Sequence, residues 1–233
     1  MATSNHQTPM SKQHLDKVLD TQRKAYYNHG IPSLGQRLET LNKLLGILRT
    51  NQKAIAEAIS NDFGNRAHQE TRLAELFLCI DGIKYTRKRL KKWMRPQKRS
   101  VSMWLLGARN TVVPQPLGVV GIVVPWNYPL FLCISPLIGA LAAGNRCMIK
   151  MAANSSHLSQ LLQGLFAEQF SADILTIVSG AVGSEFSALA FDHLIFTGSG
   201  ASGRQVMRAA ADNLTPVTLE LGGKSPTIIA PDY

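Results

Sequence analysis

From Pro116 to the end of the chain, short runs of aliphatic and β-branched residues alternate with segments of helical periodicity. Strands are predicted at 119–124, 147–150, 174–178, 193–197 and 217–221, with a last apolar run at 226–230. Between them fall predicted helices at 130–143, 155–170, near Glu185, and at 201–211. Strands this short, separated by helices this long, cannot pair as hairpins. They predict an α/β fold: a doubly wound, mostly parallel sheet with helices on both faces. In such sheets ligands bind beyond the carboxyl ends of the strands, so the residues that end each strand are the first to inspect.

The preceding hundred residues are predicted to be helical. Leu34, Leu38, Leu41, Leu44, Leu45, Leu48, Ile55 and Ile59 recur mostly three or four apart, which predicts one helix over 34–59 with Ser33 as its cap. A second helix is predicted from Gln69 to about Arg95, where Pro96 stops it. Two strand-like runs, 101–106 and 110–115, flank Gly107 and predict a β-hairpin. The chain therefore divides into a helical part (1–100), a hairpin (101–115) and an α/β core (116–233).

The formal net charge of +10 would suggest nucleic acid if it were spread out. Nine basic residues without an acid lie between Lys84 and Arg99, so the rest of the chain carries only +1. One local run is better read as a solvated helix face, with Leu90, Trp93 and Met94 turned inward, than as a nucleic-acid surface; no aromatic platform or zinc-ligand spacing accompanies it. The first ten residues lack the apolar centre of a secretory signal, and the apolar stretch 130–143 is too short to span a bilayer. Cys79, Cys133 and Cys147 sit among apolar neighbours and read as buried, reduced thiols, consistent with a cytoplasmic protein.

Three segments carry groups suited to chemistry. FTGSGASGR (196–204) places Gly198, Gly200 and Gly203 between a strand and a helix, where backbone N–H groups and the Ser199 hydroxyl could meet a pyrophosphate. The pattern is weak alone, because glycines serve any tight strand-to-helix turn. PWNYP (125–129) closes a strand with the amide of Asn127, which could donate to a developing oxyanion or merely cap the next helix. LELGGKS (219–225) sets Glu220 in an apolar strand, where desolvation would make it a stronger base; a structural ion pair is the equal alternative.

In order, the stretches PLGVVGIVVPWNYP, PLIGALAAGNRCMIK, FDHLIFTGSG and LTPVTLELGGKSP resemble the aldehyde dehydrogenase superfamily over most of residues 116–230. PLIGALAAGN and DNLTPV are most similar to its class 3 branch, including the bacterial coniferyl aldehyde dehydrogenases. The resemblance implies a Rossmann-like cofactor domain, NAD or NADP as cofactor, and an aromatic or medium-chain aldehyde as substrate. It further implies that Asn127 donates to the oxyanion and Glu220 activates water. Gly198 and Ser199 would hold the pyrophosphate and Lys150 the adenosine ribose, with Trp126 and Leu221 at the nicotinamide. It implies a homodimer or higher in the full-length family, and neither nucleic acid nor membrane as partner. Two departures stand out: Ala153 replaces the carboxylate that would grip the ribose, and Gly200 replaces a threonine. No Gly-Gln-x-Cys follows LELGGKS, so the nucleophilic thiol and the catalytic domain are expected to lie outside this sequence. On that expectation the chain alone is inactive. The alternative is a dinucleotide-binding or interaction module without catalysis.

Overall fold

The computed structural model describes residues 11–223 and 225–231. The expectation about a leader in residues 1–10, and Lys224 of LELGGKS, lie outside the described residues. Helix α1 (Lys12–His29) begins at Ser11, whose Oγ accepts from the His14 N–H at 3.3 Å, and stops at Gly30 with φ 67°. Helix α2 (Leu34–Thr50) begins at Ser33 in a reciprocal capping box with Gln36. The single helix predicted for 34–59 is two. Asn51 turns its amide back onto the Ile47 carbonyl (2.9 Å) and separates α2 from α3 (Gln52–Asp62).

The second predicted helix comprises α4 (His68–Thr71), a π-helical segment Arg72–Phe77, and α5 (Leu78–Trp93). Of the side chains expected to turn inward near its end, Leu90 is buried and Met94 half-buried, but Trp93 is exposed beside Tyr85. The hairpin also differs from expectation. Strand β1 is Gln97–Arg99, paired antiparallel with β2 (Asn110–Val112), while Met103–Leu105 forms a 3-10 turn between them. The apolar run at 101–106 is thus the loop, and Met103, Trp104 and Leu106 face solvent.

The α/β core follows the predicted alternation: β3 (Val119–Val123), α6 (Pro129–Ala143), β4 (Arg146–Lys150), α7 (Ser156–Gln169), β5 (Leu175–Ile177), α8 (Gly183–Ser187), β6 (His193–Gly198), α9 (Gly200–Ala211) and β7 (Val217–Leu221). The run at 226–230 adopts no regular structure. All five core strands are parallel, in the order β5-β4-β3-β6-β7. The chain winds outward from β3 to β5, then crosses to the other side of β3 for β6 and β7. The winding direction therefore reverses between β3 and β6.

Successive side chains of a strand enter opposite layers. Val120, Ile122, Cys147 and Ile149 pack with residues of α2, α3, α5, α6 and α7. Val119, Met148, Leu194 and Phe196 pack with residues of α1, α8 and α9. Buried polar groups tie these layers to the sheet. Gln22 of α1, fully buried, donates from Nε2 to the carbonyls of Cys147 and Ala172, each at 3.0 Å. Gly121 is required in mid-strand by close packing: a Cβ there would lie 2.6 Å from the Phe191 ring and 2.8 Å from Leu194 Cδ1. Gly121→Val is expected to destabilise the chain by about 1–3 kcal/mol through overpacking, read from urea unfolding. An unchanged midpoint would show that the Phe191 side chain yields freely.

Candidate functional site

The parallel register brings the carboxyl ends of four strands to one edge. Val123 of β3 lies opposite both Lys150 of β4 and Phe196 of β6, and Gly198 of β6 lies opposite Leu221 of β7. The Val124 N–H donates to the Lys150 carbonyl at 2.9 Å and extends the pairing one residue further. Trp126, Asn127, Lys150, Gly198, Ser199, Glu220 and Leu221 therefore share the carboxyl edge, four of the seven beside the β3/β6 reversal.

Trp126 is exposed, with its ring 6.3 Å from that of Phe63 in a tilted arrangement. Asn127 is exposed, and its side chain makes no hydrogen bond among the described residues. The helix-cap alternative for Asn127 is thereby removed. Tyr128 occupies the cap position of α6 without a side-chain cap, and the cap comes from far away in sequence. Glu75, fully buried in the π-helical segment, accepts from the N–H groups of Leu130 (2.8 Å) and Phe131 (3.0 Å) through Oε2. Burial pushes the Glu75 carboxyl up from its ordinary range, against the pull of these two N–H groups and of Arg66.

Helix α7 is capped in the same way. The buried carboxylate of Asp62 accepts from the N–H groups of His157 (2.9 Å) and Leu158 (3.0 Å). Both helices that follow β3 and β4 thus carry a carboxylate of this chain where an anionic ligand would otherwise sit. Helix α9 does not. Its cap is Ser199, exposed, whose Oγ accepts from the Ser202 N–H at 3.1 Å and donates to Ser202 Oγ at 3.0 Å. The first turn of α9 is therefore the place on this edge suited to phosphate. Gly203 lets that helix approach the last strand, since a Cβ there would lie 2.9 Å from Leu221 Cδ2.

Lys150 is half-buried, and desolvation lowers its pKa. Its Nζ donates to the Met151 carbonyl at 3.3 Å, and no carboxylate pairs with it among the described residues. A desolvated cation with spare donors suits a ribose hydroxyl or a phosphate. Ala153 is exposed in the turn after β4 and adds no polar group. Glu220 departs from expectation. Edge strand β7 is covered on one face only, and Glu220 stands exposed opposite Thr197, so the desolvation expected of it is absent. Glu75, Asp62 and Arg66 were not legible as site residues. Asp62 and Glu75 lie in helical segments at ordinary spacing and Arg66 in the loop between α3 and α4, and only the tertiary packing of this region turns them toward this edge.

Cys79, Cys133 and Cys147 are buried, and desolvation drives each thiol pKa upward, that of Cys133 to about 12. Cys147 sits near the amino end of β4, away from the carboxyl edge. Among the described residues no group of three or more His, Cys, Asp or Glu could hold a metal ion, and no helix is long and apolar enough to cross a membrane.

A five-stranded parallel sheet whose winding reverses at its centre, with an open helix start and a half-buried lysine at the carboxyl edge, has the architecture in which doubly wound α/β proteins bind ligands. Comparison with known proteins narrows this. Residues 4–233 match the aldehyde dehydrogenase family, and the chain belongs to it. It is 51% identical over 218 residues to a probable coniferyl aldehyde dehydrogenase of Pseudomonas aeruginosa, covering 93% of this chain and 46% of that protein. It is 33% identical to the dimeric NADP-preferring aldehyde dehydrogenase of Mus musculus, covering 94% of this chain and 48% of that one. The substrate-bound structure of Staphylococcus aureus AldH superposes with a TM-score of 0.85 at 31% identity, over 91% of this chain and 46% of that chain. The chain spans about half the length of the relatives it matches. Members of the family act on small-molecule aldehydes and use NAD or NADP.

In native protein at pH 8 all three thiols are expected to resist a thiol reagent, and all three should react once the chain is unfolded. Rapid labelling of one thiol in the native state would place a candidate nucleophile that the geometry does not show.

Proposed function

We propose that this chain is the cofactor-holding part of an NAD(P)-dependent aldehyde dehydrogenase that oxidises an aromatic aldehyde, of the coniferyl type, to the acid. The observation that carries the reading is the register at the carboxyl edge, which aligns the ends of β3, β4, β6 and β7, with Lys150, Glu220 and Leu221 at those ends and Asn127 and Ser199 in the segments that follow β3 and β6. The similarity to coniferyl aldehyde dehydrogenases supports the substrate class. A cytoplasmic location and a homodimer or larger assembly go with the same reading, the β1–β2 hairpin serving contacts between copies. Neither nucleic acid nor a membrane is a partner in it.

The residues present fit a dinucleotide. Ser199 and the first turn of α9 would take the pyrophosphate, and Lys150 the adenosine ribose or its 2′-phosphate. Trp126 and Leu221 would border the nicotinamide, and Gly198 lets the backbone approach. Bound there, NAD or NADP supplies the hydride acceptor. Asn127, its amide unengaged, would donate to the oxygen of the aldehyde as charge develops on it. Glu220 would take a proton from the water that releases the acid. Its exposure in this chain is opposed by the need for a dry site, which the remainder of the protein would provide by covering β7. The thiol that bonds to the aldehyde carbon is none of Cys79, Cys133 or Cys147, and in this reading it comes from outside these 233 residues.

Without a held nucleophile the reaction forfeits up to roughly 7–11 kcal/mol of barrier lowering. Purified chain incubated with NAD or NADP and a panel of aldehydes is therefore expected to reduce no cofactor. Turnover abolished by Glu220→Gln would overturn the assignment of the thiol to residues outside the chain. Nucleotide binding gives a second test. With Ala153 in place of a ribose-gripping carboxylate, nothing repels a 2′-phosphate and Lys150 attracts it, so NADP should bind more tightly than NAD. Ala153→Glu should shift the ratio of affinities toward NAD by about tenfold, or ~1.4 kcal/mol. Equal titration curves for both nucleotides, unchanged by the substitution, would remove Lys150 and Ala153 from the site.

A further inference from the structure

The Asn127 amide makes no hydrogen bond of its own among the described residues, so something else must fix where it points. Its two neighbours are held from the α3–α5 layer. Trp126 faces Phe63 at 6.3 Å, and the Arg66 guanidinium lies over both the Phe63 ring (3.9 Å) and the Tyr128 ring (4.9 Å). The Tyr128 hydroxyl donates to Glu70 at 3.4 Å. Immediately after the turn, Pro129 has no N–H, and the next two N–H groups of α6 are both taken by Glu75. Arg66 Nη1 stands 3.5 Å from Glu75 Oε1, and both atoms are buried without a hydrogen-bond partner. A fully buried carboxylate with one oxygen unsatisfied is costly for a helix cap that Ser or Asp at position 128 could supply from the surface.

We propose that Glu75, braced by Arg66, is a positioning residue that locks the 125–128 turn to the helical layer and so aims the Asn127 amide at the substrate oxygen. The substrate-directed role of Asn127 rests on the function proposed above; the lock itself does not. Glu75 sits in the π-helical segment, a wide turn of the kind often found at functional sites, and it reaches α6 across 55 residues of sequence. The lock joins the turn to the α3–α4 connection and to the π-helical segment at three points: the Phe63–Trp126 pair, the Arg66–Tyr128 stack, and the Glu75 cap.

The test uses the full chain carrying Trp93→Phe and Trp104→Phe, which leaves Trp126 as the single tryptophan; the two removed side chains are exposed. Time-resolved fluorescence anisotropy then reports motion of the turn, and thermal unfolding is followed in parallel. Glu75→Ala is expected to raise the fast, subnanosecond amplitude of Trp126 by about twofold. Glu75→Gln should restore most of the rigidity, because its amide oxygen accepts from the same N–H groups. Arg66→Met, which keeps Glu75, should give an intermediate increase, and it carries the test if Glu75→Ala fails to fold. An unchanged Trp126 anisotropy in Arg66→Met, or in a folded Glu75→Ala whose melting temperature falls, would reduce Glu75 to a helix cap and overturn the proposal. Nucleotide titration of the same proteins reads the dehydrogenase assignment separately: absent binding with the expected anisotropy change would sink that assignment and leave the lock standing.

Discussion

Strand β3 is buried on both faces, and the rest of the structure follows from that constraint. Val119, Val120 and Ile122 are all buried, and β3 is hydrogen-bonded to β4 on one side and β6 on the other. A parallel strand with no solvent face requires helices above and below it. Here α2, α3, α5, α6 and α7 cover one layer while α1, α8 and α9 cover the other. Because β3 is also the strand at which the winding reverses, the segment leaving it has no crossover lying across its end. PWNYP is therefore left at an open edge, beside the start of α9.

Electrostatics at that edge divide the helix starts into two kinds. Positive ends of α6 and α7 are neutralised from within by Glu75 and Asp62, whose carboxylates arrive from the helical layer. The start of α9 is left to a serine hydroxyl and solvent. In a sheet of this order a dinucleotide would ordinarily be sought at the first strand-to-helix turn. In this chain that turn is already satisfied by Glu75, and the proposed function accordingly puts the phosphate at α9 and the Asn127 amide at the first turn.

The core elements were legible because periodicity and β-branching report burial directly. Every strand predicted between 119 and 221 is present within two residues of its expected limits. Failures lie where a single side chain outweighs the pattern. Asn51 interrupts an otherwise continuous leucine repeat by bonding back to Ile47. The apolar run at 101–106 looks like a strand, yet its Met, Trp and Leu side chains belong to a loop, and the ladder forms from Gln97, Lys98 and Arg99 instead. Trp93 follows the helical spacing of buried residues but, as the last residue of α5, stays exposed beside Tyr85.

What the sequence by itself determined is local: which segments form strands, which form helices, and which polar residues end the strands. Ser33 and Ser199 cap their helices from three residues away, so both could be read from order alone. Tertiary structure alone decided the environments of the charges. Glu220 sits in apolar sequence yet is exposed among the described residues, where β7 is the last strand of the sheet. Glu75 sits in ordinary amphipathic sequence yet is wholly buried, because α6 places two unpaired N–H groups against it. The free energy of a carboxylate depends on which groups surround it in space, and those groups arrive from 55 residues away.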